Sequence, residues 1–232
     1  MAPMATDAHA ALKRAAAEAA VRAEVRSGMV IGLGSGTTML FALDELGRRV
    51  REEGLRIRGV PTSEQTARIA DGCGIPLVDL ALEPDVAIDG ADEVDPRGNL
   101  TKGAGGAMTR EKCVAVAARR LVIVVDDSKL VSRLAGAVPI EVLPFAVPLV
   151  QRELCRRLPG AEPRLRLQGG TPFVTDSGNQ ILDVALGAER PAPARLARLL
   201  DGVTGVVEHG LFVGMKPAVY VAAPAGVRVR QY

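Results

Sequence analysis

The order of apolar runs and amphipathic stretches predicts an α/β fold with a Rossmann-like, doubly wound and mostly parallel sheet. Three short apolar runs lie at 29–33, 55–60 and 86–88, and a fourth lies at 121–125. Stretches with helical periodicity or glycine-rich turns separate them. Strands that alternate with helices in this way are typical of a parallel sheet with helices on both faces.

The helices of this half are predicted from apolar residues at helical spacing and from capping residues. They cover part of 1–27, the segment from about 39 to 50, the segment 63–71 with Ser63 as N-cap, and about 107–120. Asp95–Gly98 has the composition of a tight turn. Each predicted helix therefore follows a predicted strand or begins the chain.

The pattern changes after about residue 134. Pro139, Pro144 and Pro148 interrupt a short segment, and a helix with apolar residues at 147, 150, 154 and 158 follows. Short strands are then predicted around 164–167, 172–174 and 180–184, followed by a helix near 194–201. Closely spaced strands with two helices predict a small inserted α+β domain of ferredoxin-like type.

We therefore predict two domains, one formed by 1–134 with 206–232 and one formed by 135–205. The last stretch, 206–221, contains two strand-like runs that are expected to return to the first sheet.

Composition excludes several classes of protein. The chain has 232 residues, and 29 Lys and Arg against 27 Asp and Glu give a net charge of +2. This balance and the 3% of aromatic residues disfavour a nucleic-acid surface. No apolar run approaches the roughly 20 residues that a membrane span needs. We expect a cytoplasmic protein without nucleic-acid or membrane partners, because the N-terminal segment also contains more acids than a transit peptide.

Cysteines and histidines limit the chemistry further. Cys73, Cys113 and Cys155 form no C-x-x-C pair, so reduced and buried thiols are expected. His9 and His209 are the two histidines, which disfavours a His-rich metal site. Acid–base chemistry is therefore expected from carboxylates and lysines.

A glycine-rich loop follows the first predicted strand. The spacing Gly32-x-Gly34-x-Gly36 departs from the dinucleotide pattern, because Thr37 stands where the third glycine is required and no acidic residue ends the second strand. It is not a Walker A loop either, because no Gly-Lys-Ser/Thr follows. Hydroxyls of Ser35, Thr37 and Thr38 beside a helix N-terminus suit a small phosphate. The alternative is a glycine-rich turn without a ligand.

Three acids crowd the end of the third strand. Asp89, Asp92 and Glu93 would repel one another, so the cluster indicates ion binding or proton transfer. A metal would need further carboxylates or histidines, and no obvious set is present. The alternative is a solvated acidic turn.

Two lysines also lie beside a glycine-rich segment or at the end of a strand. Lys102 precedes the run Gly103–Gly106 and can neutralise an anion, and Glu111 lies about one and a half turns into the next predicted helix. The alternative for Glu111 is a surface helix residue paired with its neighbours. Lys129 ends Asp126–Lys129, for which a plain helix cap is the alternative.

Together these motifs resemble the type A ribose-5-phosphate isomerase family over nearly the whole chain. The matching segments are Gly32–Thr38, Asp89–Glu93, Lys102–Lys112, Val125–Lys129, Pro139–Pro144, Thr175–Asp183 and Gly210–Phe212. This sequence departs from the family pattern at Ser35, where Thr is usual, and at Ala104, which interrupts a glycine run.

The resemblance implies interconversion of D-ribose 5-phosphate and D-ribulose 5-phosphate through an enediolate, without cofactor or metal. Glu111 would be the base, Asp89 would assist ring opening and Lys102 would stabilise the oxyanion. The substrate-binding residues that it implies are Ser35, Gly36, Thr37, Thr38, Asp89, Gly90, Ala91, Asp92, Lys102, Gly103, Ala104, Gly105 and Lys129. It also implies a homodimer, or in some members a tetramer, and a lysine at the phosphate, for which Lys13 or Arg14 could serve.

Two other functions are alternatives. Sugar-phosphate-sensing regulatory modules resemble this fold, but they normally follow a helix-turn-helix segment, and only about 28 residues precede the first strand here. An amino-sugar phosphate deaminase would need a catalytic histidine, whereas His209 lies in a stretch that fits a structural role better.

Overall fold

The computed structural model of the chain describes residues 5–187 and 189–232, with side chains described from residue 9 onwards. The predicted domain ranges also include residues 1–4 and 188, which lie outside the described residues.

Helices and strands alternate through the first half of the chain and mix more closely in the second half. The helices are α1 (Ala5–Glu24), α2 (Thr37–Glu53), α3 (Glu64–Gly72), α4 (Met108–Ala117), α5 (Val147–Arg157) and α6 (Pro193–Asp201). The strands are β1 (Val30–Leu33), β2 (Arg58–Pro61), β3 (Val86–Asp89), β4 (Glu93–Val94), β5 (Leu100–Thr101), β6 (Leu121–Asp126), β7 (Val138–Val142), β8 (Glu162–Leu165), β9 (Leu167–Gln168), β10 (Thr171–Pro172), β11 (Gln180–Ala185), β12 (Val206–His209), β13 (Leu211–Phe212), β14 (Ala218–Ala223) and β15 (Gly226–Gln231). None of the helices in the described ranges has the length and apolar character that crossing a bilayer requires.

The chain forms two compact units. The first unit contains residues up to Ala91, Arg110–Leu130 and Met215–Tyr232. Its six-stranded sheet has the order β15-β14-β6-β3-β1-β2, and all neighbours are parallel except β14 and β15. The predicted fold class, a doubly wound and mostly parallel sheet, is confirmed.

Aliphatic side chains hold the first unit together. Ile31 and Leu33 of β1 and Leu43 and Leu46 of α2 are at most 1% exposed. Burying each such side chain contributes about 1.5–3 kcal/mol relative to leaving it in water. The Arg49 guanidinium also donates to backbone carbonyls near the end of α1. Packing of α1 and α2 therefore combines an apolar face with capping of a helix end.

A buried carboxylate lies beside this core. Glu45 on α2 is 4% exposed, and its two oxygens accept hydrogen bonds from Arg48 Nε at 2.7 Å and Arg22 Nε at 2.9 Å. The hydrogen bond from Arg48 lowers the pKa of Glu45 to about 2, although burial acts in the opposite direction.

This carboxylate gives a prediction about acid stability. A group whose pKa is lower in the folded state stabilises the fold above its unfolded-state pKa, about 4.3 for Glu, and this stabilisation is lost as the pH falls towards 2. Because both arginines reach water, we expect the ionised Glu45 to contribute about 1 kcal/mol to the free energy of unfolding. Urea unfolding should show Glu45→Gln to be less stable than wild type at pH 7, with the difference shrinking by pH 3. A difference independent of pH would contradict this role of Glu45.

The second unit contains Asp92–Thr109 and Val131–Gly214. Its main sheet is antiparallel, with the order β12-β7-β11-β8. The chain order β7-α5-β8-β11-α6-β12 is the β-α-β-β-α-β arrangement of ferredoxin-like folds, as predicted. Short strands β4, β5 and β13 form a separate three-stranded sheet.

The two strand-like runs at 206–221 behave differently from each other. The second run, β14, returns to the first sheet beside β6, as predicted. The prediction for the first run is wrong, because β12 pairs with β7, with Val206 opposite Val142 and His209 opposite Ile140. In addition, 92–109 belongs to the second unit rather than the first. The division of the chain into two independent domains stays a prediction.

Strand β7 was not predicted, because Pro139 is its second residue. Proline lacks the N–H that a strand ladder needs. Here the ladder with β12 ends at Ile140, and the next residue of that partner, Gly210, packs close to the proline ring. On that side Pro139 serves only as an acceptor, because its carbonyl receives the Gly210 N–H at 2.8 Å.

The cysteines are all free, as expected, but only Cys73 is even half-buried. The prediction of buried thiols is wrong for Cys113 and Cys155, which lie on the solvent sides of α4 and α5. Burial raises the pKa of the Cys73 thiol.

Candidate active site

Three neighbouring parallel strands of the first unit end at the same edge of the sheet. They are β1, β3 and β6, and the segments at their carboxyl ends are 34–38, 89–91 and 127–129. The chain leaves β1 for β2 on one side and later returns to place β3 on the other side. Ligands of open α/β sheets bind at such a switch point. The structure therefore brings the predicted residues of these three loops to one edge.

The first loop has the geometry of an anion site. Gly36, the N-cap of α2, has φ 91°, a conformation that favours glycine. The first backbone N–H groups of α2 have no acceptor within the helix, and its dipole favours an anion there. Lys13 Nζ lies 3.3 Å from Thr37 Oγ1.

Arg14, the other basic residue considered for the phosphate, is engaged elsewhere. Its guanidinium lies 3.0 Å from the Asp44 carboxylate and stacks over the Phe41 ring, 4.7 Å from the ring centroid. Of the two, Lys13 is thus the residue that reaches the loop.

Asp89 is built into the same loop. It is 5% exposed, and its Oδ1 accepts the Gly90 N–H at 2.7 Å and the Ser35 N–H at 3.3 Å. A Cβ on Gly34 would lie 2.2 Å from Asp89 Oδ1, so only glycine permits this approach. The acidic strand end is therefore a buried, hydrogen-bonded carboxylate and not a solvated turn.

Ser35 makes contacts that the sequence did not indicate. Its hydroxyl lies 2.7 Å from Thr62 Oγ1, 2.9 Å from Ser63 Oγ and 3.2 Å from Thr66 Oγ1. The run of hydroxyl residues after β2 was the available signal, and it was interpreted only as a helix cap. Ser63 is indeed the N-cap of α3, with its side chain accepting from Thr66 N–H.

Glu111 lies in the first turn of α4 and is 6% exposed. The helix begins at Met108, close to the predicted start near 107, and Glu111 lies in its first turn rather than one and a half turns in. This burial excludes the alternative that Glu111 is a surface helix residue. At this position the carboxylate lies at the positive end of the helix dipole.

The third loop holds Lys129 in a short 3₁₀ turn after β6. Asp126, which is 2% exposed, accepts the N–H of Ser128 at 3.0 Å and caps this turn. Lys129 itself is half-buried.

In the second unit, Lys102 is 4% exposed, and its ammonium lies 5.5 Å from the centroid of the Phe212 ring. Its N–H donates to Gly210 O at 2.8 Å. A Cβ on Gly210 would lie 2.1 Å from the Lys102 carbonyl, so glycine is required there. The Gly210–Phe212 motif therefore positions Lys102.

The glycine-rich segment after Lys102 is held from two sides. Asp92 Oδ2 accepts the Ala104 N–H at 3.0 Å, and Arg166 donates to the carbonyls of Gly103 and Ala104 at 2.9 and 3.1 Å. Gly103 has φ 106°, whereas Ala104 is not among the positive-φ residues, which explains why a methyl group fits there. Gly105 is exposed beside it. Arg166 was missed by sequence reasoning.

Glu93 does not share the environment of Asp89. Its Oε1 accepts the N–H groups of Ala135 and Gly136 at 3.1 and 2.9 Å. This member of the acidic cluster anchors a loop of the second unit.

One group of possible metal ligands occurs among the described residues, and it belongs to the second unit. Asp201, Glu208 and His209 have ligand atoms within 4.8 Å of one another. His209 Nδ1 accepts the Leu211 N–H at 3.2 Å, so Nε2 holds the hydrogen and faces Asp201 at 3.1 Å. Both ring nitrogens are engaged, which favours the structural role expected for His209 over a catalytic one.

Comparison with known proteins gives one consistent result. Residues 58–226 match the family model of ribose 5-phosphate isomerase A (phosphoriboisomerase A). Ribose-5-phosphate isomerase A of Natronomonas pharaonis is 49% identical over 223 residues, which cover 95% of this chain and 96% of the relative. The structure of ribose 5-phosphate isomerase A from Methanocaldococcus jannaschii is 39% identical, with a TM-score of 0.89 over 96% of this chain and 99% of that chain.

A further relative was solved with a ligand. It is a D-ribose-5-phosphate isomerase in complex with phospho-erythronic acid, 36% identical, with a TM-score of 0.91 over 96% of this chain and 98% of that chain. These likenesses extend over nearly the whole chain and do not support the regulatory-module alternative. The chain belongs to the ribose 5-phosphate isomerase A family.

Proposed function

We propose that this chain interconverts D-ribose 5-phosphate and D-ribulose 5-phosphate, a step of the non-oxidative pentose phosphate pathway. The observation that supports it best is the buried Glu111 carboxylate in the first turn of α4, in a chain of this family. A carboxylate in such a place is a suitable general base for carbon acids.

In the proposed reaction Glu111 removes the proton from C2 of the open-chain aldose. The C–H electron pair forms the C1–C2 double bond, and negative charge develops on O1. The proton on O2 then passes to O1, and the C1–C2 electron pair takes the proton back from Glu111 at C1 as the ketone forms at C2. One carboxylate can serve both transfers, because it becomes an acid once it holds the proton.

Asp89 and Lys102 are proposed to act on the sugar oxygens. Asp89 accepts two backbone hydrogen bonds, which hold its carboxylate in place as an acceptor for hydroxyl protons during ring opening. Lys102 supplies a buried positive charge that stabilises the oxyanion. This electrostatic contribution is usually the largest one in such reactions.

The phosphate is proposed to bind at the start of α2, on Gly36, Thr37 and Thr38, with Lys13 as the cation. Ser35 belongs to the same loop. The remaining residues proposed to contact the substrate are Gly90, Ala91, Asp92, Gly103, Ala104, Gly105 and Lys129.

The ligand of the solved relative fits this scheme. Phospho-erythronic acid has a phosphate at one end and a planar carboxylate at the other. A carboxylate shares its charge between two oxygens, as an enediolate does. We infer that the same acid binds this chain as an inhibitor.

We further infer that the chain needs no metal or cofactor, acts in the cytoplasm and forms a homodimer. Support for metal independence is chemical, because lysine and backbone donors can hold the enediolate charge. Support for a dimer is the family likeness and an apolar surface on the second unit, where Phe145 is 99% exposed near Leu143, at 49%. Light scattering after size exclusion would show the dimer mass.

The function is tested by a coupled assay on ribose 5-phosphate after exhaustive dialysis against EDTA. We expect full activity, with no gain on adding Mg²⁺ or Mn²⁺. No conversion under any condition would contradict the function, and activity that only a metal restores would contradict the mechanism.

Lys13 gives a separate prediction about phosphate binding. Lys13→Met should raise KM for ribose 5-phosphate about fivefold to tenfold and change kcat little, because a charge-assisted contact to the phosphate is lost. Arg14→Met on the same helix is the matched control and should leave KM unchanged. Equal effects of the two substitutions would show that Lys13 has no specific role.

A further inference from the structure

Four side-chain hydroxyls lie together behind the phosphate loop. This hydroxyl cluster consists of Ser35, of Thr62 and Ser63 after β2, and of Thr66 in the first turn of α3. The last three are between 1% and 9% exposed. Buried hydroxyls are costly unless each one is hydrogen-bonded, so their protons can be assigned one by one.

Two of the protons go to backbone carbonyls at the end of β1. Thr62 donates to Leu33 O at 3.0 Å, and Thr66 donates to Gly34 O at 2.9 Å. These are the two residues that lead directly into Ser35. The cluster therefore binds the backbone at the point where the strand becomes the loop.

The other two protons stay inside the cluster. Ser63 donates to Thr66 Oγ1 at 3.0 Å. Because Thr62, Ser63 and Thr66 have each used their single proton, the proton of Ser35 goes to Thr62 Oγ1 at 2.7 Å or Ser63 Oγ at 2.9 Å.

Both donors of Ser35 are thus directed into the protein. Its hydroxyl bonds within the cluster, and its N–H faces Asp89 Oδ1. A phosphate needs donors. The hydroxyls of Thr37 and Thr38 differ from Ser35, since no acceptor for their protons occurs among the described residues. Thr37 Oγ1 already accepts from Lys13, which leaves its proton for a ligand.

We propose that Ser35 does not donate to the substrate phosphate and that the hydroxyl cluster instead holds the loop in its binding shape, with Thr66 as the main positioning residue. This inference rests on the proposed phosphate role of Gly36–Thr38. Thr66 acts through Gly34 and Ser35 and does not touch the substrate. The cluster therefore affects binding of the phosphate more than the proton transfer.

The test compares Thr66→Val, which keeps the shape and removes the hydroxyl, with Thr66→Ser, which keeps the hydroxyl. Thr66→Val should raise KM for ribose 5-phosphate, and the inhibition constant of inorganic phosphate, about tenfold, as expected when a buried hydrogen-bond network is broken. The value of kcat should change less than about threefold. Thr66→Ser should bind phosphate nearly as wild type.

Thr175→Val is the matched control. The Thr175 hydroxyl is also buried and donates to a protein acceptor, Glu141 Oε1, at 2.9 Å. Its loss should lower the melting temperature and leave phosphate affinity unchanged. If Thr66 contributed only to the stability of the fold, the two Thr→Val variants would have the same phosphate affinity. That result would overturn the proposal.

A double-mutant cycle separates support from direct contact. If Ser35 acts only through the cluster, Ser35→Ala and Thr66→Val remove the same support, so the double variant loses little more affinity than Thr66→Val alone. If Ser35 binds the phosphate, the two losses multiply and the proposal is wrong. Should Thr66→Val not fold, Ser63→Ala takes its place, because it removes the hydroxyl that bridges Ser35 and Thr66.

Thr38→Val distinguishes failure of this inference from failure of the proposed function. If it weakens phosphate binding while Thr66→Val does not, the inference is wrong and the phosphate site stands. If neither substitution changes phosphate affinity, the loop does not bind phosphate and both are wrong.

Discussion

Glu111→Gln should lower kcat on ribose 5-phosphate by about 10²–10⁴-fold, the usual contribution of a general acid–base group. Glutamine keeps the size of the side chain and removes the base, so KM and the melting temperature should change little. A coupled assay at high enzyme concentration would measure the residual rate.

The control for this substitution is Glu153→Gln, on the second unit. Glu153 pairs with Arg156 and Arg157 at the protein surface, and its pKa is lowered to about 2 mainly by its hydrogen bond with Arg156. Its loss should leave turnover unchanged. Near-normal turnover of Glu111→Gln would show that another group removes the C2 proton.

Lys102→Met should have the second largest effect. Methionine keeps an unbranched chain of similar length and removes the charge. We expect kcat to fall about 10²–10³-fold, as when a single group that stabilises an oxyanion is removed. Lys102→Arg should recover part of the rate, because the charge returns in a different geometry.

Inhibitor binding shows at which end of the substrate Lys102 acts. If Lys102 stabilises the enediolate, Lys102→Met should weaken inhibition by phospho-erythronic acid and leave inhibition by inorganic phosphate unchanged. Equal weakening of both inhibitors would place Lys102 at the phosphate instead and would contradict its proposed role.

Local patterns in the sequence predicted the parts of the site that depend on neighbouring residues. Gly34, Gly36 and Asp89 each follow a predicted strand, and parallel strands end at one edge. The order of strands and helices was sufficient for the fold class. Boundaries were less accurate, as the end of α4 at Ala117 rather than near 120 shows.

Contacts between distant segments could not be predicted in this way. Ser35 and Thr66 are 31 residues apart, and Arg166 is 62 residues from Ala104, so no local spacing indicates either contact. Strand β12 was assigned to the wrong sheet for the same reason, because an apolar run does not specify its partner. Strand β7 was not predicted because of Pro139. Whether a strand can contain proline depends on the hydrogen bonds that the neighbouring strands form there.

Isomerisation in D₂O is the most direct test of proton transfer by this chain. Ribose 5-phosphate is incubated with the EDTA-treated protein until many turnovers have occurred, and the sugar phosphates are examined by proton NMR and mass spectrometry. We expect ribulose 5-phosphate to form with deuterium at C1, and ribose 5-phosphate to gain deuterium at C2 as the reaction reverses. Conversion without deuterium uptake would contradict the enediolate mechanism and the role of Glu111 as its base.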